Sequence, residues 1–196
     1  GLDQKAVHHK LVRSGFRQVS GENIHDDLSP TLSGLVLISH VRDGLEIADE
    51  TKLPKTLRRF IAEHHGTTVQ KYFYEKARAI DENTTEEQFR YPGPSPQSRE
   101  TALVMLADSV EAAVKAKNKS FDNIRDLRLL VQNVIRQKAE AGQLKDVDFT
   151  MREMAVIESS FIEILRSTYH SREVKEISES IRAAAEKKGQ SKQNDR

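Results

Sequence analysis

Four side chains with metal-binding chemistry lie at helical positions that should face inward. His40 lies on the apolar face of one predicted helix, the adjacent His64 and His65 end a second, and Asp108 occupies the middle of a third. A buried carboxylate is costly unless it is paired or bound to a metal. One acid and three imidazoles directed inward from three helices could therefore share a cation, and such a ligand set suits Mn, Fe or Zn.

Each of these residues also has an ordinary structural explanation. Histidines at a helix C-terminus, such as His64 and His65, can interact with the free carbonyls and the helix dipole. His40 can be a hydrogen-bonded core histidine, and Asp108 a half-exposed acid paired with a lysine or arginine. The His-Asp-Asp sequence at residues 25–27 lies in a Ser/Pro loop just before a helix, and we interpret it as turn and cap chemistry. The residues alone leave both interpretations of the four open.

Composition excludes several classes of protein. The chain has 196 residues, which predicts one domain with a tail, and it has no cysteine, which excludes disulfides and thiolate metal sites. The net charge is +1 with acids and bases interspersed, so we expect no nucleic-acid polymer as a partner. The longest strongly apolar run is LVLI at residues 35–38, and neither a membrane span nor a signal peptide is visible. We therefore expect a soluble chain.

The hydrophobic periodicity is helical throughout and predicts an all-α fold. Ser29-Pro30 starts the first predicted helix, Gly142 stops the fifth, and Thr150 with Glu153 forms a capping box for the sixth. The predicted helices cover residues 31–50, 53–65, 67–80, 98–117, 124–141 and 151–170. A long connection at 81–98 contains one possible helical turn, TTEEQF, and the charged end is expected to be helical to Lys188 and then to fray.

The order of motifs adds a family resemblance. The strings ENIHDDLSPTLSGLVLISHVRDG, EHHGTT followed by KYFY, and FRYPGPSPQSRETALVMLADSVEAA occur at residues 22–44, 63–74 and 89–113. Together they resemble the cytoplasmic HD domain of bacterial seven-transmembrane HD phosphohydrolases, the membrane-anchored cyclic di-AMP phosphodiesterases. The related HD-GYP phosphodiesterases fit less well, because Gly-Thr-Thr follows the histidine pair here instead of Gly-Tyr-Pro.

The resemblance implies an HD-domain helical bundle with its core at residues 22–172. It also implies an incomplete N-terminal part of that domain at 1–21 and a charged helical or disordered tail at 173–196. The full-length protein would be anchored in the cell membrane through an upstream segment absent from this chain. The sequence does not predict an oligomeric state.

The resemblance also implies a reaction and a site. Two divalent transition metal ions, Mn or Fe, would support hydrolysis of cyclic di-AMP to pApA. Carried over position by position, His40, His64, His65 and Asp108 are metal ligands, and Asp108 is also a catalytic residue.

Two further residues are candidates for binding the substrate. Arg99 is a candidate phosphate contact, with a solvated role as its alternative. Tyr72, with its neighbours Phe73 and Tyr74, could stack on an adenine, although packing in the core is the default expectation for such a cluster.

The N-terminal segment departs from the family pattern. The family places a histidine on an earlier helix and then a His-Asp-x-Gly-Lys motif, whereas this chain reads KAVHHKLVRSGFRQVSG at residues 5–21. His8 or His9 would stand for the motif histidine, with His9 as a metal ligand, and Lys10 for its catalytic lysine. The Asp and Gly are missing, so we expect the chain as written to be nearly inactive.

Three functional hypotheses follow. The first is a metal-dependent cyclic-dinucleotide phosphodiesterase, and the second is a catalytically impaired cyclic-dinucleotide-binding HD module or fragment. The third is a helical interaction module in which the histidines are incidental. Stoichiometric metal binding separates the third from the others, and turnover separates the first from the second.

Overall fold

The computed structural model describes residues 28–117, 121 and 123–168. Within them the fold is all-α, as predicted, and extended pairing is confined to one antiparallel bridge between Val69 and Arg90. None of the described helices combines the length and apolarity that a membrane crossing requires. The helices are α1 (Pro30–Glu50), α2 (Lys55–Glu63), α3 (Lys71–Ile80), a 3-10 helix (Glu86–Phe89), α4 (Arg99–Ala116), α5 (Ile124–Glu140) and α6 (151–168).

Several predictions concern residues outside these ranges. They include His9, Lys10, the His-Asp-Asp sequence at 25–27, the incomplete N-terminal part at 1–21 and the tail at 173–196. All of these stay predictions.

The helix boundaries follow local capping rules. The Ser29 hydroxyl accepts a hydrogen bond from the Leu32 amide at 3.2 Å, and Pro30 occupies the first turn of α1. After α5 the chain turns at Gly142, whose φ of 69° lies in the left-handed region. The predicted capping box before α6 is present, since Glu153 accepts from the Thr150 amide at 2.8 Å and Thr150 accepts from the Glu153 amide at 3.2 Å.

The predicted start of α3 at Thr67 is wrong by four residues. Thr67 still belongs to the turn, and the segment 68–70 is extended and pairs with residues 89–91: the Gln70 amide donates to the Phe89 carbonyl at 2.9 Å, and the Tyr91 amide donates to the Thr68 carbonyl at 3.0 Å. Thr68 and Val69 are β-branched, and such residues favour extended backbone once a pairing partner is present. This pairing connects the histidine turn to residues 89–91.

The chain divides into two compact units. The first contains the described residues of 28–109 together with 137–148, and the second contains those of 110–136 together with 149–168. In the first unit the buried apolar residues are Val41, Ala48, Ala77, Phe89, Tyr91, Ala102, Met105 and Leu106. In the second they are Val110, Val114, Leu127, Val131, Ile135, Ile157 and Ile162.

Within the first unit, α1 packs against α2, α3 and the 3-10 helix. Gly34 allows α1 to approach the 3-10 helix closely, because a Cβ atom there would lie 2.7 Å from Cδ1 of the fully buried Phe89. The packing of α1 against α2 brings the middle of one helix beside the C-terminal end of the other. That juxtaposition creates the candidate site.

Candidate metal centre

Three histidines converge in the first unit. His40 comes from α1, His64 is the C-cap residue of α2, and His65 follows it. The Nε2 atoms of His64 and His65 each lie 3.1 Å from Nε2 of His40. One candidate ligand atom from each residue lies within 4.8 Å of the other two, so these three could hold a metal ion. Ending the helix and contributing to a ligand cluster are therefore compatible roles for the His64-His65 pair.

Hydrogen bonding fixes which nitrogen of each ring carries the proton. Nδ1 of His40 contacts the Leu37 carbonyl, and Nδ1 of His64 lies 2.8 Å from the Ile61 carbonyl. A carbonyl oxygen only accepts, so both Nδ1 atoms must be donors and both Nε2 atoms carry lone pairs. Two such lone pairs facing each other at 3.1 Å repel unless a proton or a cation lies between them. The backbone therefore prepares these rings for a cation.

Burial favours the neutral form that a metal requires. It is the largest influence on His65, whose pKa it lowers to about 3, with further lowering from the neighbouring His64, His40 and Lys138. Burial also lowers the pKa of His40, although the Leu37 carbonyl acts in the opposite direction. Imidazoles bind metals only when unprotonated, so both rings are ready to act as ligands at neutral pH.

Asp108 lies beside the cluster, at its His65 side. Its Oδ2 is 3.4 Å from Nδ1 of His65, and its side chain is 41% exposed. The carboxylate is therefore half-exposed, which is one of the two alternatives that the sequence left open, although its partner here is a histidine instead of a lysine or arginine. A carboxylate on this side favours the tautomer with the proton on Nδ1 of His65, which leaves the lone pair on Nε2, facing the other two rings.

Two side chains distant in sequence hold the turn after α2. Gly66 has a φ of 54°, and a Cβ atom there would collide with Oε1 of Gln143. The Gln143 side chain, 3% exposed, accepts from the Thr67 amide at 2.9 Å and donates to the Thr67 hydroxyl at 2.9 Å. Arg90 donates to the Thr67 carbonyl at 3.0 Å. These bonds fix the backbone next to two of the three histidines.

A buried carboxylate anchors the helix end before the histidines. Glu63 is 2% exposed and accepts hydrogen bonds from the Thr101 hydroxyl at 2.6 Å, the Gln97 amide at 2.9 Å and Arg59 at 2.9 Å. Burial, the largest single influence, raises the pKa of Glu63, but these bonds together outweigh it and lower the pKa. An ionised Glu63 thus connects α2 to the start of α4.

Two residues near the histidines were not predicted from the sequence. Tyr91 is 8% exposed and stacks on His65, with ring centroids 4.2 Å apart, and burial raises its pKa to about 12. Lys138, in the last turn of α5, donates to the Thr68 hydroxyl at 2.8 Å. Tyr91 lies in the motif FRYPGPSP, which could have pointed to it. Lys138 gave no such signal, because a lysine near a helix C-terminus is ordinarily solvated.

The remaining candidates lie elsewhere in the structure. Tyr72 is 62% exposed, with Nζ of Lys76 4.5 Å from its ring centroid, so the expectation that it packs in the core was wrong. It falls on the outer face of α3, while Ala77 takes the buried position of that helix. Arg99 is exposed and donates to the Asp148 carbonyl at 2.6 Å. A role for either residue in substrate binding stays a prediction.

Comparison with known proteins agrees with this architecture. The HD domain family model matches residues 14–113, and the chain belongs to this family. Over 155 residues, 79% of this chain, it is 41% identical to the cyclic-di-AMP phosphodiesterase PgpH of Bacillus subtilis, of which the match covers 22%. The PgpH of Listeria monocytogenes is 36% identical over 155 residues, 79% of this chain and 21% of that protein.

A solved structure of the same relative also matches. The crystal structure of the L. monocytogenes PgpH HD domain in complex with cyclic-di-AMP gives a TM-score of 0.72 at 35% identity. The match covers 78% of this chain and 70% of that one. The resemblance noted from the motifs is thus confirmed, while the chain spans about a fifth of the length of the curated relatives it matches.

Proposed function

We propose that this chain is the catalytic domain of a metal-dependent phosphodiesterase that hydrolyses cyclic di-AMP to linear pApA. The observation that carries the proposal is the convergence of three imidazole lone pairs, with ligand atoms within 4.8 Å of one another, in an HD-domain fold. The L. monocytogenes domain, structurally similar to this chain, was crystallised with cyclic-di-AMP, which supports this substrate. The full-length protein would hold the domain in the cytoplasm through a membrane anchor.

In this proposal His40, His64 and His65 hold divalent cations, with Asp108 at their edge as a further ligand or as the acceptor of the His65 proton. Two Mn or Fe ions are the expected complement. When bound, such ions lower the pKa of a coordinated water and offset the charge that grows on the phosphoryl oxygens. The reaction adds one water across one P–O3′ bond and opens the ring.

The chain's own residues prepare that chemistry. The carbonyls of Leu37 and Ile61 keep two histidines in the Nε2-ligand tautomer, and Asp108 does the same for His65. Tyr91 covers one face of the His65 ring and limits the access of water to it. His9 and Lys10 would add one imidazole and one cation from the N-terminal segment, while the Asp of the family motif has no counterpart there.

Metal binding is the first test. Titration of the chain with Mn²⁺ should show stoichiometric binding, and Asp108→Asn should weaken it. The control is Asp49→Asn, which removes the charge of an exposed acid of α1 that pairs with Arg58 of α2, and it should leave Mn²⁺ binding unchanged. A chain that binds no transition metal would contradict the proposal and favour an interaction module.

Turnover is the second test. Hydrolysis of cyclic di-AMP should require Mn²⁺, should exceed hydrolysis of cyclic di-GMP, and should rise when a complete His-Asp-x-Gly-Lys motif replaces the present sequence around His9. Binding of cyclic di-AMP without turnover in both proteins would support the impaired binding module instead. Equal rates on both dinucleotides would contradict the substrate assignment.

A further inference from the structure

Lys138 is a cation at the candidate metal centre that the proposed reaction has not used. Its ammonium donates to the Thr68 hydroxyl at 2.8 Å, and the Thr68 amide in turn donates to the His65 carbonyl at 3.2 Å. The lysine therefore contacts the turn that carries two of the three histidines. It reaches that turn from the last turn of α5, 70 residues away in sequence.

The surroundings of Lys138 are unusual for a lysine. Its side chain is partly buried, and among the described residues its hydrogen-bond partner is the neutral hydroxyl of Thr68. An ammonium has three N–H donors, so this contact satisfies one of them. Burial lowers the pKa of Lys138 to about 8, although the negative charge of Asp108 acts in the opposite direction. A desolvated cation in this position is stabilised by the arrival of an anion.

The charges near Lys138 indicate what kind of anion would bind there. The ammonium is linked to His65 through one residue, because it donates to the Thr68 hydroxyl and the Thr68 amide donates to the His65 carbonyl. Divalent cations on the histidines would repel the ammonium. Such an arrangement becomes favourable when an anion lies between the metal ions and the lysine, as a phosphodiester oxygen would.

We propose that Lys138 is a substrate-binding residue that donates a charge-assisted hydrogen bond to a phosphoryl oxygen of the bound cyclic dinucleotide. The inference rests on the proposed function and adds a specific contact to it. Thr68 orients the ammonium by accepting one of its N–H bonds, so that the other donors remain for the anion. The contact forms in the ground-state complex, so it contributes chiefly to affinity.

The test measures binding and therefore does not depend on turnover. Cyclic di-AMP is titrated into the Mn²⁺-loaded chain, its Lys138→Met and Lys138→Arg variants, and a Lys55→Met control at the exposed first residue of α2. Lys138→Met keeps the length and apolar stem of the side chain but removes its charge and donors. We expect it to raise Kd by about 10- to 100-fold. Lys138→Arg should recover part of the loss, and Lys55→Met should bind as the unchanged chain does.

Two controls separate ligand binding from a structural role. Mn²⁺ affinity and Tm in the absence of nucleotide should be no lower in Lys138→Met than in the unchanged chain. If Mn²⁺ affinity falls as far as nucleotide affinity, Lys138 positions the histidine turn and the proposal is overturned. An unchanged Kd for cyclic di-AMP in Lys138→Met overturns it as well.

A phosphodiester without adenine distinguishes this proposal from the proposed function. If the unchanged chain does not bind cyclic di-AMP, the substrate assignment fails, and Lys138 is then examined with bis(p-nitrophenyl) phosphate on the Mn²⁺-loaded protein. Weaker binding of that phosphodiester in Lys138→Met supports an anion-binding lysine for another substrate. Equal binding in the two proteins, or none in either, rejects the assignment of Lys138.

Discussion

Replacing Gln143 by Ala should loosen the turn that carries His64 and His65. The Gln143 amide group is buried, accepts from the Thr67 amide at 2.9 Å and donates to the Thr67 hydroxyl at 2.9 Å. Ala removes both bonds, leaves the Thr67 amide without its acceptor and creates a cavity. A lost buried hydrogen bond costs about 1–3 kcal/mol, and with the cavity we expect about 2–4 kcal/mol lower stability.

The same substitution should also weaken metal binding. Because Thr67 is two residues from His65, freedom in the turn lets the two imidazoles leave the geometry in which their lone pairs meet that of His40. Loss of residues that orient metal ligands typically lowers affinity by about 10- to 100-fold, and we expect a similar loss for Mn²⁺. Gln137→Ala, an exposed residue of α5, is the matched control and should change neither quantity.

Two measurements decide this prediction. Urea denaturation of the metal-free chain gives the free energy of unfolding, and calorimetric titration at a temperature where each variant is fully folded gives the Mn²⁺ affinity. A folded Gln143→Ala variant with unchanged Mn²⁺ affinity would refute the reasoning, because the turn would then hold the histidines without Gln143. Stability within about 0.5 kcal/mol of the unchanged chain would refute the energetic part.

Three further outcomes are expected. The pKa of His65 is about 3 in the folded chain and 6.5 in the unfolded chain, so only the unfolded state gains a proton as the pH falls from 6.5. The free energy of unfolding of the metal-free chain should therefore fall by about 2.7 kcal/mol by pH 4.5, and it should fall less in His65→Gln. A metal-free chain whose stability does not change over this pH range would contradict the prediction. Glu63→Gln should lower the free energy of unfolding at pH 7 by about 1–3 kcal/mol, as measured by denaturation. Because the pKa of Glu63 is lowered from 4.5 in the folded chain, the stability difference between the two proteins should narrow as the pH falls below 4.5 and Glu63 gains a proton. Gly66→Ala should lower Tm more than Gly142→Ala. Both glycines have positive φ, but of the two only Gly66 also faces the Gln143 side chain. Equal Tm shifts in the two variants would exclude a steric contribution from Gln143.

Local chemistry made most of the helices predictable. Ser29 and Pro30 start α1, Gly142 turns the chain after α5, and Thr150 caps α6. Each of these rules involves residues within one helical turn of one another. The start of α3 was not predictable in this way. Thr68 and Val69 are extended because residues 89–91 pair with this segment, and that partner is about 20 positions distant in sequence.

The sequence by itself determined which residue types were available to bind a cation, and the order of motifs identified the family that arranges them. It placed His64 and His65 side by side, and its periodicity placed His40 and Asp108 within two predicted helices. The tertiary structure decided the rest. Packing of α1 against α2 brings His40 within 3.1 Å of His64, while the opening beside α4 leaves Asp108 half-exposed next to His65.

The same distinction explains the residues that were missed or misplaced. Tyr91, Lys138 and Gln143 carry no periodic signal of a site, because their contacts with the histidine turn span about 20 to 80 positions of sequence and exist only after the helices have packed. Tyr72 shows the converse, since an aromatic cluster at helical spacing did not reveal which ring would face solvent. Composition and spacing set the chemistry that this chain can perform, but long-range packing decides which lone pairs, donors and charges meet.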